Sequence, residues 1–313
     1  MLSYLLRRVA LAAVVLFGLL VATFFIIHLV PGDPVRIVLA GRATPATIAR
    51  VHHQLGLDRP LWTQFSLYTS HTLQGNFGTS FTLDSPVAQI IVQRLGPSAA
   101  LIGYGMLLSV LIGVPLAIVA SLRPNSWLDN AIRLGTTLTF AMPGFWLGLM
   151  LALIFGLELG WFPVSGYSPG FVGILRTLTL PALALGLALA GVVVRTLRSS
   201  LLEVLQSEHI EATRSRGLSE LRVVGKHAMR NSAMNTLTIL SVNIGFLIGG
   251  TVVLEQVFQI PGLGSLLVDA VEKRDYQLVQ ALTLLAGAAV VLASLATDVV
   301  QALLDPRVKL AGR

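Results

Sequence analysis

The sequence predicts an all-α, polytopic membrane protein with six transmembrane helices and a polar lobe after the first of them, and three observations carry that prediction. The chain of 313 residues is 54% hydrophobic and 12% charged, whereas about a quarter of the residues of a soluble globular protein are charged. Uncharged apolar runs of membrane-crossing length recur six times along it. The strongly charged stretch from Arg195 to Met234 lies between two of those runs.

The first run, Val9 to Val30, follows Arg7 and Arg8 and is long enough to cross a hydrocarbon core of about 30 Å. It exceeds the h-region of a signal peptide, and Pro31-Gly-Asp-Pro34 follows it where small residues would mark a cleavage site, so residues 1–30 read as a retained anchor. Residues 31–96 are polar, too long for a plain loop and too short for a large core. Within them Thr44-Pro45 reads as the start of a helix with a stripe at Ile48, Val51 and Leu55, ended by Gly56. Leu61 to Leu73 reads as a second helix, Gly75-Asn-Phe-Gly78 as a turn, and Ser85-Pro86 as the opening of a third short helix. Adjacent residues do not face one another on a helix, so His52-His53 is not a metal pair.

The other five runs are Pro97 to Leu122, Leu134 to Leu157, Leu178 to Val194, Ser232 to Leu254 and Leu278 to Thr297. Pro115, Pro143 and Pro181 inside them, and glycine spacings such as Gly144–Gly148 and Gly245–Gly249, suit helices packed closely in lipid. The amino terminus, the Arg123–Arg133 connection, the 195–234 segment and the tail after Leu304 hold fourteen of the 22 Lys and Arg; the short connections on the opposite side hold only Arg176, Lys273 and Arg274. Basic residues in short loops stay on the cytoplasmic side, which places both termini in the cytoplasm and the 31–96 lobe outside.

Several function classes are excluded. The only Gly-Lys, Gly225-Lys226, is followed by His227, so the chain has no phosphate-binding loop. No His-Glu-x-x-His and no Gly-x-Ser-x-Gly occurs, and no carboxylate cluster lies in the runs. An ion-driven carrier keeps ionisable groups at membrane depth, and these runs contain none; His28 and Glu255 stand at the ends of theirs. The net charge of +7 comes without a basic run interleaved with aromatics, so orientation explains it better than nucleic acid does. Cysteine is absent, which removes disulfides, thiolate metal sites and a thiol nucleophile.

Inside the charged segment, Glu208 to Arg216 reads as a short helix with Glu208 and Glu211 in its first turn and Arg214 and Arg216 in its last. Gly217 follows, where a left-handed residue stops a helix. A second helix reads from Ser219, as its cap, to Asn231, with Leu221, Val224 and Ala228 on one stripe. Two short amphipathic helices on a membrane domain suit docking to another protein.

These residues carry a family resemblance. Glu211-Ala212-Thr213, Gly217 and His227-Ala-Met-Arg-Asn231, with Glu255-Gln-Val-Phe-Gln-Ile-Pro261-Gly262-Leu-Gly264, Arg274-Asp275-Tyr276 and Leu304-Asp305-Pro306-Arg307, resemble the membrane subunits of ABC importers for dipeptides and oligopeptides. The chain departs from that signature in lacking a proline in Asn231 to Thr236. The resemblance implies a type I importer permease fold: the anchor, the 31–96 lobe, a permease core over 97–304 with its coupling segment at 203–234, and a cytoplasmic tail at 305–313. It implies uptake of dipeptides or short oligopeptides across the cytoplasmic membrane, with nickel chelate, haem or another peptide-like solute as alternative cargo and a channel or structural subunit as the alternative class. The implied partners are a second permease, two ATP-binding subunits or one fused ATPase chain, and an external solute-binding protein. ATP and magnesium would be bound by those subunits, leaving this chain without a cofactor, a metal or a catalytic residue. Glu208, Glu211, Ala212, Arg214, Arg216 and Gly217 would couple to the ATPase. Glu255, Pro261, Gly262 and Gly264 would line the external mouth of the pathway or touch the partner permease.

Overall fold

The structure, a computed structural model, describes residues 2–29, 44, 46, 53 and 58–304. The expected helix from Thr44 to Gly56 and the Leu304–Arg307 motif lie outside the described residues as elements. The chain divides into two compact units.

One unit holds Leu2–Gly96 and Pro261–Leu295. Its helix α1, Leu2–Leu29, contains a stretch long and apolar enough to cross a membrane, and α2 follows at Leu61–Leu73. Phe65 of α2 stands edge-on to Phe24, with ring centroids 5.3 Å apart, and Tyr68 and Thr23 share a 2.9 Å hydrogen bond. The Thr23 hydroxyl also donates to its own helix at the Leu19 carbonyl, so α1 carries this polar side chain without exposing it. The 75–78 turn forms with Gly75 and Gly78 at positive φ. Ser85-Pro86 does not open a short helix: it is strand β2, paired antiparallel with β1, Thr79–Ser80. The helix that follows is α3, Val87–Leu122, which begins ten residues before the apolar run it contains. The hairpin is held by Asp275, fully enclosed, whose carboxylate accepts from Ser80 Oγ at 2.5 Å and from Thr82 N and Oγ1 at 3.2 and 2.8 Å. Its other oxygen accepts from Leu278 N at 3.3 Å, in the first turn of α12, Tyr276–Leu304. Val87, Ile90, Leu266 and Leu278 form a buried apolar cluster in the same unit, Leu266 coming from α11, Leu263–Glu272.

The other unit holds Pro97–Ile260 and the residues from Ala296 on. Here α4, Trp127–Ala141, and α5, Gly144–Leu151 with its π-helical continuation Ala152–Glu158, replace the single straight span expected over Leu134–Leu157, and they meet at 106°. Pro143 has no N–H to continue the α4 ladder and forces Met142 into the extended region, at φ −78 and ψ 135. The run Leu178–Val194 lies within α6, Phe171–Leu205. The run Ser232–Leu254 is also interrupted: α9, Met229–Val242, gives way at Asn243 to α10, Ile244–Val257. Among the described residues, four helices are long and apolar enough to cross a membrane, and the bent pair makes a fifth. Leu101, Leu178, Leu185, Leu189, Leu247 and Leu254 form the centre of the core where α3, α6 and α10 meet. The helices approach closely there, since a Cβ on Gly186 would lie 2.8 Å from the Gly105 carbonyl oxygen.

Candidate coupling site

The end of α6 hands the chain to α7, Glu208–Ser215, through Gln206 and Ser207. Ser207 takes an extended cap conformation, and its carbonyl accepts from Ile210 N and Glu211 N at 2.9 and 3.2 Å. Glu208 and Glu211 then stand at the positive end of the helix and Arg214 in its last turn, the arrangement the macrodipole favours. Ile210 is fully buried with Leu197, Leu201, Ala117, Val223 and Ala228. An isoleucine enclosed in this way contributes on the order of 1.5–3 kcal/mol by leaving water. Thr213 is buried one turn further on and donates to the His209 carbonyl at 2.8 Å.

With Ile210 and Thr213 turned inward, Glu208, Glu211, Ala212, Arg214, Arg216 and Gly217 are all exposed. The helix stops one residue before the expected Arg216, and Gly217 follows at φ +77 with its N–H on the Arg214 carbonyl. Among the described residues, no atom lies within 4 Å of the place where a Gly217 Cβ would sit, so the demand for glycine there is one of backbone conformation and not of space. Arg214 closes the turn: Nε and a terminal nitrogen donate to the two Glu220 oxygens at 2.7 and 3.3 Å, and that hydrogen bond raises the guanidinium pKa above its ordinary value. Ser219 has the cap backbone but its side chain makes no capping bond. The second helix opens with a single turn, Glu220–Arg222, and passes through a π-helical stretch, α8, Val223–Ala228. It does not end at Asn231: α9 runs through Asn231–Thr236 to Val242, as the missing proline permits. Val224 and Ala228 of the expected stripe are buried. The rings of His209 and His227 meet at 6.2 Å across the turn.

The second expected group is divided between the units, Glu255 falling in one and Pro261, Gly262 and Gly264 in the other. Glu255 is fully enclosed within its unit, and Ser98 Oγ donates to its carboxylate at 2.6 Å. The turn after it closes by Ile260 N donating to the Glu255 carbonyl, with Gln259 at φ +51. Gly262 precedes α11 as its N-cap, its N–H bonded to Ser265 Oγ, and Gly264 is buried in the first turn.

Sequence reasoning missed one pair beside the coupling segment. Asp129, fully buried in the first turn of α4, accepts Arg198 Nε at 2.7 Å and a terminal nitrogen at 2.6 Å. Asn125 N donates to the same carboxylate, and Ser126 Oγ accepts from Asp129 N as the cap of α4. The available signal was an aspartate three residues after a serine, immediately before an apolar run.

Two family descriptions match the chain. Residues 113–310 match the binding-protein-dependent transport system inner membrane component, and residues 1–102 match the N-terminal region of membrane components of such systems. A glutathione transport system permease protein of Salmonella typhimurium is 40% identical over 312 residues, covering 99% of both chains. A putative peptide transport system permease protein of Brucella abortus is 36% identical over the same length and coverage. The solved inward-facing MetNI methionine ABC transporter contains a chain that superposes with a TM-score of 0.58 at 16% identity, covering 69% of this chain and 97% of that one, which shows a shared fold.

Proposed function

This chain belongs to the family of binding-protein-dependent transport system inner membrane components, the permeases of ABC importers, and from that premise we propose that it passes dipeptides or short oligopeptides through the cytoplasmic membrane. It is a multi-pass membrane permease and not an enzyme. In this reading a second, non-identical permease completes the pathway, two cytoplasmic ATP-binding subunits bind the ATP and magnesium, and an external binding protein delivers the cargo. Both termini and α7 face the cytoplasm, as the distribution of basic residues supports.

The observation that carries the coupling role is that α7 is anchored on one side by Ile210 and Thr213 while Glu208, Glu211, Ala212, Arg214, Arg216 and Gly217 stand exposed, able to enter a groove of the ATPase. Closure of the ATPase pair on nucleotide would then move α7 and the end of α6 as one body, turning the pathway from inward- to outward-facing. A tripeptide cargo of the glutathione kind is the narrower reading, favoured by 40% identity to the Salmonella protein over nearly the whole chain.

The test is co-purification with ATP-binding subunits from the source cells, followed by uptake in proteoliposomes holding the assembled complex, with labelled dipeptides, oligopeptides and glutathione. The reading expects ATP turnover only in the assembled complex and accumulation of at least one peptide class. ATP hydrolysis by the isolated chain, or ATP-independent flux through it, would overturn the reading.

A further inference from the structure

We propose that the Asp129–Arg198 pair is the joint that carries movement of the coupling segment into the bent span α4–α5; the inference rests on the coupling role of α7. A buried ion pair adds little net stability, because desolvating both charges offsets most of their attraction. What the two-pronged geometry does add is a fixed angle between the helices that bear it. Arg198 stands one turn before Leu201, which shares a buried apolar cluster with Leu197 and with Ile210 of α7, so the last turns of α6 and the docking helix are joined through one core. Asp129 in turn is bound to its own helix end by Asn125 N and the Ser126 cap.

The clamp continues along the helix pair. Arg195 lies over the Phe140 ring at 5.4 Å, and a Cβ on Gly191 would stand 2.9 Å from the Thr136 carbonyl oxygen, so α4 and α6 run antiparallel in close contact. Beyond the Pro143 elbow, Gly148 of α5 faces Leu254, next to the buried Glu255, and Phe258, about one turn after it. A displacement of α7 therefore has a packed route through Arg198, Asp129 and the elbow to the surroundings of Glu255, all within one compact unit. Asp129 and Arg198 are positioning residues here.

The chain has no cysteine, so two introduced cysteines take spin labels at chosen places only. Labels at the exposed Asn130 of α4 and Gln206 at the end of α6, in the assembled complex, should keep one dipolar separation in the nucleotide-free and the ATP-trapped states. A change of about 5 Å, one helical pitch, between those states in the native background would overturn the joint. Asp129→Asn should keep basal ATP turnover while stimulation by the binding protein, purified with the peptide it carries, falls about tenfold. Arg198→Lys, which keeps the charge and loses the fork, should show the smaller loss of the two, and the exchanged pair D129R/R198D should regain part of the stimulation. Asp129→Asn with stimulation within about twofold of the native complex overturns the joint. If Gly217→Val loses stimulation in the same assay, only the joint fails; if both variants keep it, the coupling role of α7 fails too.

Discussion

Ser98 of α3 donates a 2.6 Å hydrogen bond to the carboxylate of Glu255 on α10, and both side chains are enclosed. The pair ties two core helices and gives an enclosed carboxylate a donor. Removing the hydroxyl takes one donor from a buried acceptor, a loss of about 1–3 kcal/mol. Ser98→Ala should lower the melting temperature of the detergent-solubilised complex, and Glu255→Ala should lower it further; Glu255→Gln, which can still accept from Ser98, should fall between them. Melting curves of the three variants indistinguishable from the native complex would show that the pair does not hold α3 to α10.

At Gly217 a side chain would meet no atom of the described residues within 4 Å but a φ of +77. A residue with a Cβ pays about 1–2 kcal/mol there, a β-branched one more. Gly217→Val should insert normally and bind the ATP-binding subunits weakly, with uptake lost; Gly217→Asn, which tolerates the left-handed region, should retain most of the function. Equal uptake by both variants and the native protein would remove this turn from the coupling machinery. Glu211→Lys should also couple poorly, since it places a cation at the positive end of α7.

Ile210 and the Arg214–Glu220 pair make different contributions to the same turn. Ile210→Ala empties a fully buried site and should cost about 2–5 kcal/mol locally. Arg214→Ala breaks an exposed ion pair, for which about 0.2–1 kcal/mol is usual. Hydrogen exchange over 208–215 should therefore rise strongly in the first variant and slightly in the second, and the reverse order would mean that the exposed pair, not the apolar anchor, seats the helix.

Asp275 ties the β1–β2 hairpin to the start of α12 through Ser80, Thr82 and Leu278. Asp275→Ala takes the acceptor from the enclosed Ser80 hydroxyl and Leu278 N–H as well as from the two Thr82 donors, a cost of about 1–3 kcal/mol. Limited proteolysis should then cut between Thr79 and Pro86 in the variant while the native hairpin resists. Unchanged protection would show that the strands hold without the carboxylate.

The long apolar helices and the α7–Gly217 turn were legible in sequence because each rests on a local signal: hydrocarbon-length runs, acids early and arginines late in a helix, and a glycine just past its end. The interruptions were less so. Pro143 was visible as a helix-interior proline tolerated in lipid, yet whether a proline bends a helix slightly or by 106° depends on how the flanking arms pack, and Pro115 and Pro181 stay inside continuous helices. Asn243 carries no breaking signal of its own. Glycine spacing was informative only in part: a Cβ on Gly148 would stand 3.0 Å from Leu254, but among the described residues Gly144 and Gly249 meet nothing within 4 Å, and the close backbone approaches at Gly186 and Gly191 lie outside the spacings named. Asp129 with Arg198 and Ser98 with Glu255 join residues 69 and 157 positions apart, and no local pattern reports such pairings.

The open surroundings of residue 217 separate two properties that ordinary mutagenesis always changes together. Every genetically encoded replacement for glycine adds bulk and an L-configured centre at once. With nothing among the described residues within 4 Å of the added carbon and φ at +77, the backbone of this chain discriminates by chirality alone. A permease assembled with D-alanine at this position should couple like the native chain, while its L-alanine enantiomer, identical in atoms and volume, should not.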